Sequence, residues 1–184
     1  MIRASRPEPA RPVPARAGPA RPGQSRPGPA RAGTGKTQRE EWSSLKLTAD
    51  EARGRLGAAR VARLATVGGP GPPHLVPVTF VLHGDRIYSA VDSKPKTTRD
   101  LRRLRNIRAH PQVAVLADHY EEDWSRLWWV RADGRASILV APGEMAAPIG
   151  LLAERYPQYG HSPPAGPVVC VLVRRWSGWA ASSD

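Results

Sequence analysis

A mainly β fold with a few helices, closed or nearly closed as an antiparallel barrel, is what the sequence predicts. Three observations predict it. Seven short segments of strand composition follow one another, Gly/Pro clusters separate the early ones at hairpin spacing, and only one or two helical patches interrupt the series. All of this fits within the single domain that 184 residues allow, with enough chain to bury a sizeable core.

Residues 1–41 form a separate arm. Pro-Ala-Arg recurs at 9–11, 14–16, 19–21 and 29–31, and Pro or Gly falls every few positions without apolar periodicity, so the arm is expected to be disordered. It carries nine basic against three acidic side chains, half of the chain's formal +12. The domain spanning 42–184 keeps the other half, a modest excess that suits one anionic small molecule better than a nucleic-acid groove. Gly33-Thr-Gly-Lys-Thr37 imitates a phosphate-binding loop, but Ala30 stands where its first glycine belongs and no strand precedes it. No apolar leader follows the first arginines and no stretch of about 18 apolar residues occurs, so a soluble, cytoplasmic protein without a membrane partner is expected.

Order is expected to begin after Leu45. Thr48 and Glu51 have capping-box spacing, and Ala52, Leu56 and Ala59 make one apolar stripe, weakened by Gly54 and Gly57. Residues 63–67, a turn over 68–73, and 74–81 form a hairpin that leads into a third strand, 87–92. A basic helix is predicted to open at Thr97 and Thr98. Strands over 112–118, 127–132 and 134–140, a helix around 146–156 and a last strand over 166–176 complete the barrel. The run Val168–Val173 reads as a strand buried on both faces, with Cys170 as core filler; one cysteine excludes an internal disulfide.

The segment from Ile87 to Ile107 carries the clearest chemistry. Lys94 and Lys96 stand between a strand end and the first turn of a helix, where unpaired amides and the helix dipole favour an anion, and Thr97 adds a hydroxyl donor. The alternative is a solvated helix face with a proline-bearing entry. Trp124, Trp128 and Trp129 suit a core or an interface; on a strand Trp128 and Val130 point one way, Trp129 and Arg131 the other. The five histidines show no metal-ligand pairing, so no metal is expected.

These residues carry a resemblance. The segments LATV (64–67), PHLVPVTF (73–80), IYSAVD (87–92), KPK (94–96), HYEEDW (119–124), LWWVRADGRA (127–136) and ERYPQY (154–159) resemble the split β-barrel flavin and deazaflavin oxidoreductases of the pyridoxamine-phosphate-oxidase class. They are most similar to the actinobacterial and mycobacterial branch of coenzyme F420-dependent enzymes. The resemblance spans Leu45 to Ala180. It implies a homodimer with the cofactor in the groove between subunits, and hydride transfer between reduced F420 and an unsaturated or conjugated substrate. It further implies that the backbone of 75–80, with Val76, Val78, Thr79 and Phe80, lines the ring beside Tyr88 and Ser89. Lys94, Lys96 and Thr97 would then hold the phosphate, and Trp128, Trp129 and Arg131 would supply a wall. His74 and Tyr120 are proton-donor candidates by residue type. FMN is the alternative cofactor, although Lys94-Pro95-Lys96 replaces the Arg-Lys pair common in FMN oxidases of this fold; a non-catalytic binding protein is the other alternative.

Overall fold

A computed structural model describes residues 45–69, 71–91 and 101–181. The arm and the Lys94, Lys96 and Thr97 cluster lie outside the described residues.

Helix α1 (Ala49–Ala58) starts in the predicted capping box: the Thr48 hydroxyl accepts from the Glu51 amide, and the Glu51 carboxylate accepts from the Thr48 amide at 2.6 Å. Its Ala52 and Leu56 are wholly buried. The strands are β1 (Ala62–Thr66), β2 (His74–Val78), β3 (Val81–His83), β4 (Arg86–Ala90), β5 (Gln112–His119), β6 (Trp128–Leu139) and β7 (Val168–Ala180). Helix α2 (Arg102–Ala109) precedes β5, and α3 (Pro142–Arg155) and the short α4 (Pro157–His161) precede β7.

The seven strands form one antiparallel sheet in the order β2-β1-β5-β6-β7-β4-β3. This order requires the sheet to curl. Strands β2 and β3 occupy its opposite edges yet are joined by Thr79 and Phe80 alone. A flat sheet of that width would separate its edges by about 29 Å, whereas the connection spans roughly 11 Å at most. The edges therefore meet at one corner and stay unpaired elsewhere, which is a split barrel. The single strand expected over 74–81 is corrected accordingly: it breaks at Thr79–Phe80 because the chain there passes from one edge to the other.

Inside the curl, Leu64, Val115, Val130, Ala132, Ile87 and Val171 pack with Phe80, and α1 and α2 contribute Leu56, Leu104 and Ile107. A second cluster, on the outer side of β3, β4 and the start of β7, is covered by Leu152 of α3 and by Tyr156. Val168–Val171 are all buried, with Cys170 4% exposed, as expected for a strand covered on both faces.

The two strands expected over 127–140 are one. Gly134 continues the ladder because β7 passes too close for a side chain: a Cβ there would lie 2.5 Å from the Leu172 carbonyl oxygen. Here β6 and β7 shift register. Asp133 pairs with Arg175 and Gly134 with Val173, so Arg174 is a bulged residue. The described basic helix, α2, has Leu101 at its N-cap without a side-chain cap bond; the opening expected at Thr97 and Thr98 lies outside the described residues.

The closing corner is held by the segment 154–159. The Tyr156 hydroxyl accepts from the Phe80 amide at 3.1 Å and lies 2.7 Å from the Arg60 and 2.8 Å from the Phe80 carbonyl oxygens, one of which takes its proton. The Thr79 and Tyr159 hydroxyls are 2.9 Å apart. The Arg155 guanidinium covers the Phe80 ring and donates to the Gly57 and Ala59 carbonyls at 2.7 Å. Tyr156→Phe should cost about 1–3 kcal/mol, because it strands a buried amide. Urea unfolding will measure the loss, and an unchanged midpoint would show that the corner holds without this hydroxyl.

Candidate functional site

Strand register decides which expected site residues share a surface. On β2, His74, Val76 and Val78 pair with Thr66, Leu64 and Ala62, so all three point inward; Val76 and Val78 pack on the core. Their neighbours Leu75, 61% exposed, and Pro77 face outward on an edge strand that pairs only with β1. Proline is tolerated there because an edge amide needs no ladder partner.

Phe80 belongs to the core and not to a ring-lining surface. It has no exposed area, and Tyr156 occupies its backbone amide and carbonyl. Tyr88 and Ser89 are consecutive on β4 and point to opposite sides: Ser89 inward and buried, Tyr88 outward against the second cluster. Burial, then Cys170 beside it, raises the Tyr88 phenol above its ordinary value. The two side chains cannot line one ring face together.

The alternation expected on β6 is observed. Trp128 packs toward the core with Val130, and Trp129 and Arg131 face outward. In a single chain Leu127 is 9% and Val130 0% exposed, and Val168–Val171 are buried by their own chain, so of these two stretches Trp129 is the large apolar side chain that faces outward.

Among the described residues, the surface that remains uncovered is the outer side of β2, β1, β5, β6 and the second half of β7. Leu75 and Pro77 lie beside Ala65 and Arg63, then Ala114, Leu116 and Asp118, then Trp129, Arg131 and Asp133, then Trp179, Ser177 and Arg175. The buried residues of α1 and α2 enter the inner cluster instead. Arg63 pairs with Asp118, and Asp133 is held by Arg131 at 3.0 Å and by Arg175 at 3.3 Å. These ion pairs leave one excess positive charge among aromatic and aliphatic side chains. Among the described residues the buried Trp179 indole N–H has no acceptor. Trp179 and Arg175 escaped the sequence reading because the last strand was ended at Trp176, and the bulge at Arg174 reverses the alternation beyond it.

The proton-donor candidates separate as well. His74 lies at the inner end of the β1–β2 hairpin. Burial first, then the Arg102 and Arg103 guanidiniums, lowers its imidazole pKa from 6.5, so at neutral pH it is a proton acceptor. Tyr120 follows β5 and is 66% exposed. Nearby, a buried contact fixes α2: the Asn106 amide donates to the Thr66 hydroxyl at 3.0 Å, and Gly68 is required because a Cβ would come within 2.2 Å of Asn106 Oδ1.

Fold and open face together define a split-barrel protein with one side of its sheet uncovered among the described residues. The chain belongs to the pyridoxamine 5'-phosphate oxidase family, whose profile matches residues 48–180. Among solved structures it resembles an FAD-binding protein of Mesorhizobium loti, with 24% identity, TM-score 0.59, and coverage of 74% of this chain and 97% of that one. It also resembles a conserved hypothetical protein of Mycobacterium tuberculosis, with 22% identity, TM-score 0.58, and coverage of 73% and 86%. A heme storage protein of Vibrio cholerae shares the fold at 17% identity and TM-score 0.55, over 71% and 90%. No curated protein matches. No described helix is long and apolar enough to cross a membrane.

The environment of His74 yields a pH dependence. Its folded pKa is depressed, so the neutral form is favoured on folding, and above 6.5 folded and unfolded chains both hold it neutral. As pH falls below 6.5 the unfolded chain protonates first, and stability declines down to the folded pKa. An NMR titration should place the imidazole below 6.5, and Arg102→Gln should raise it part of the way back. A value at or above 6.5 would contradict this environment.

Proposed function

We propose that the protein is an oxidoreductase that binds coenzyme F420 and works as a homodimer, passing a hydride between the reduced deazaflavin and an unsaturated or conjugated organic substrate. Membership of the pyridoxamine 5'-phosphate oxidase family over 48–180 carries the reading, and the FAD-binding protein that shares the fold supports it. The open face fits a planar ring with an anionic tail. Trp129 offers a stacking surface, Arg131 and Arg175 outnumber the Asp133 between them, and the unpaired β2 edge offers backbone donors. Lys94, Lys96 and Thr97 supply the phosphate contacts in this reading.

When bound, a deazaflavin supplies two-electron hydride chemistry at its own ring, so no side chain need act as a covalent catalyst. The residues of this chain bind, orient and exclude water. Leu75, Trp129 and Trp179 form the apolar part of the two-chain groove, and the arginines hold the anionic part. His74, held in its neutral form by burial and by Arg102 and Arg103, serves in this reading as a proton acceptor. FMN is the second reading, favoured by the family match; Lys94-Pro95-Lys96 favours F420 over it.

Titration with F420 and with FMN, followed by their absorbance bands, should show the tighter complex with F420. Lys94→Ala and Lys96→Ala should each weaken it by about 1.5–3 kcal/mol, the range for charge-assisted bonds. Unchanged affinity in both variants would remove the phosphate assignment, and a preference for FMN would reverse the cofactor. Sedimentation should report twice the 20.0 kDa chain mass, and Trp129→Ala with Leu75→Ser should lower both association and cofactor affinity. A monomer that binds the cofactor fully would overturn the two-chain groove.

A further inference from the structure

At the end of the barrel under α1 lies a cleft of about 340 Å³, separate from the open outer face. Its floor is apolar: Leu127, the inward-facing Trp128 and Ala180, of which the first and last are 9% and 3% exposed. Its walls are basic, with Arg55 from α1, His119 from the end of β5 and Arg126 from the short 3₁₀ turn before β6; the Ser125 side chain completes the lining. Arg55, His119 and Arg126 thus surround the cavity, and among the described residues no carboxylate lines it.

The basic groups are held in place. The Arg55 guanidinium lies 5.7 Å from the centre of the Trp128 ring, a cation–π distance. The His119 ring stacks on the same indole at 6.3 Å with 21° between planes. Behind the cleft, one Glu121 carboxylate oxygen lies 3.1 Å from both His119 Nε2 and Arg126 Nε, fixing the two side chains from outside the lining. Asp123 is outside the lining but adjoins it, accepting from the Ser125 amide at 3.0 Å and from its hydroxyl at 2.6 Å.

We propose that this cleft binds a planar organic anion, an aromatic or conjugated ring bearing a carboxylate, with the ring on the apolar floor and the carboxylate between Arg55 and Arg126. The volume lies at the small end of the range for ligand sites and admits one or two fused rings. Guanidinium forks match a carboxylate in two-point geometry, and an indole beside them gives the ring a flat apolar contact. No expected phosphate ligand belongs to the cleft; of the residues expected around the cofactor it shares Trp128 alone.

The test uses the full-length protein without flavin or F420, with 2-naphthoate, benzoate, the neutral isostere benzamide and inorganic phosphate as probes in calorimetric titration. The carboxylates should bind, naphthoate more tightly than benzoate, and benzamide should bind about tenfold or more weakly, as loss of a charge-assisted pair requires. Arg55→Gln and Arg126→Gln should each lower naphthoate affinity by a similar factor, whereas Arg135→Gln, an exposed charge on β6, should leave it unchanged. Thermal melts confirm that each variant is folded, and placing the two arginine changes on separate elements guards against local disruption of either. Four results would each overturn the proposal: no carboxylate binding at about 10 mM, equal binding of benzamide, phosphate binding as tight as naphthoate, or full affinity in both variants. Cofactor titration of the same variants is a separate readout, so failure of this site and failure of the F420 reading remain distinguishable.

Discussion

One hydroxyl holds the place where the sheet becomes a barrel. Strands β2 and β3 lie at opposite edges of the sheet, so every strand between them must curve for Thr79 and Phe80 to connect them. At that corner the backbone leaves the ladder, and its polar groups need other partners. Tyr156 provides them, Arg155 covers the Phe80 ring, and Tyr159 engages Thr79. Tyr156 and Phe80 are 76 residues apart, so the closing contact links a late helix end to an early strand. Such long-range closure carries a loop-closure cost that formation of the intervening sheet offsets.

Local chemistry was legible from the sequence wherever it dictates local structure. The Thr48–Glu51 box, the Gly/Pro turn after β1, the doubly buried run at Val168 and the alternation of Trp128 and Trp129 are observed as expected. What was not legible depends on the sheet as a whole. Residues 74–81 look like one strand because each favours extended backbone; only the strand order reveals the corner. Gly134 resembles a break until the neighbouring Leu172 carbonyl shows why a side chain is excluded there.

The candidate site was legible in part for the same reason. Alternation within a strand separates Trp128 from Trp129, but it does not say which side is covered. Coverage depends on α1 and α2 entering the inner cluster and α3 lying over β3, β4 and the start of β7, which no single segment encodes. Hence Phe80 and Val78, expected beside a ligand, belong with the core, while Leu75 and Trp179 face outward. Arg55 and His119 escaped notice because they meet Trp128 only when α1 and the end of β5 come together.

The extra residue in β7 has a consequence for how that strand divides its work. Before Arg174 the inward residues are Val169, Val171 and Val173; after it they are Trp176, Gly178 and Ala180. Arg174 acts as a half-step in the pleat, and the two stretches answer to different neighbours. The outward residues of the first, Val168 and Cys170, lie beneath the α3 cluster, whereas those of the second, Arg175, Ser177 and Trp179, lie on the uncovered face. If Arg174 took a regular place in the ladder instead of bulging, the alternation would run on unbroken and exchange the two sides, placing Arg175 and Trp179 in the interior and Trp176 outside; deleting it would leave each of them where it is. A single irregular residue therefore lets one continuous strand serve as a covered wall at one end and as part of the uncovered face at the other.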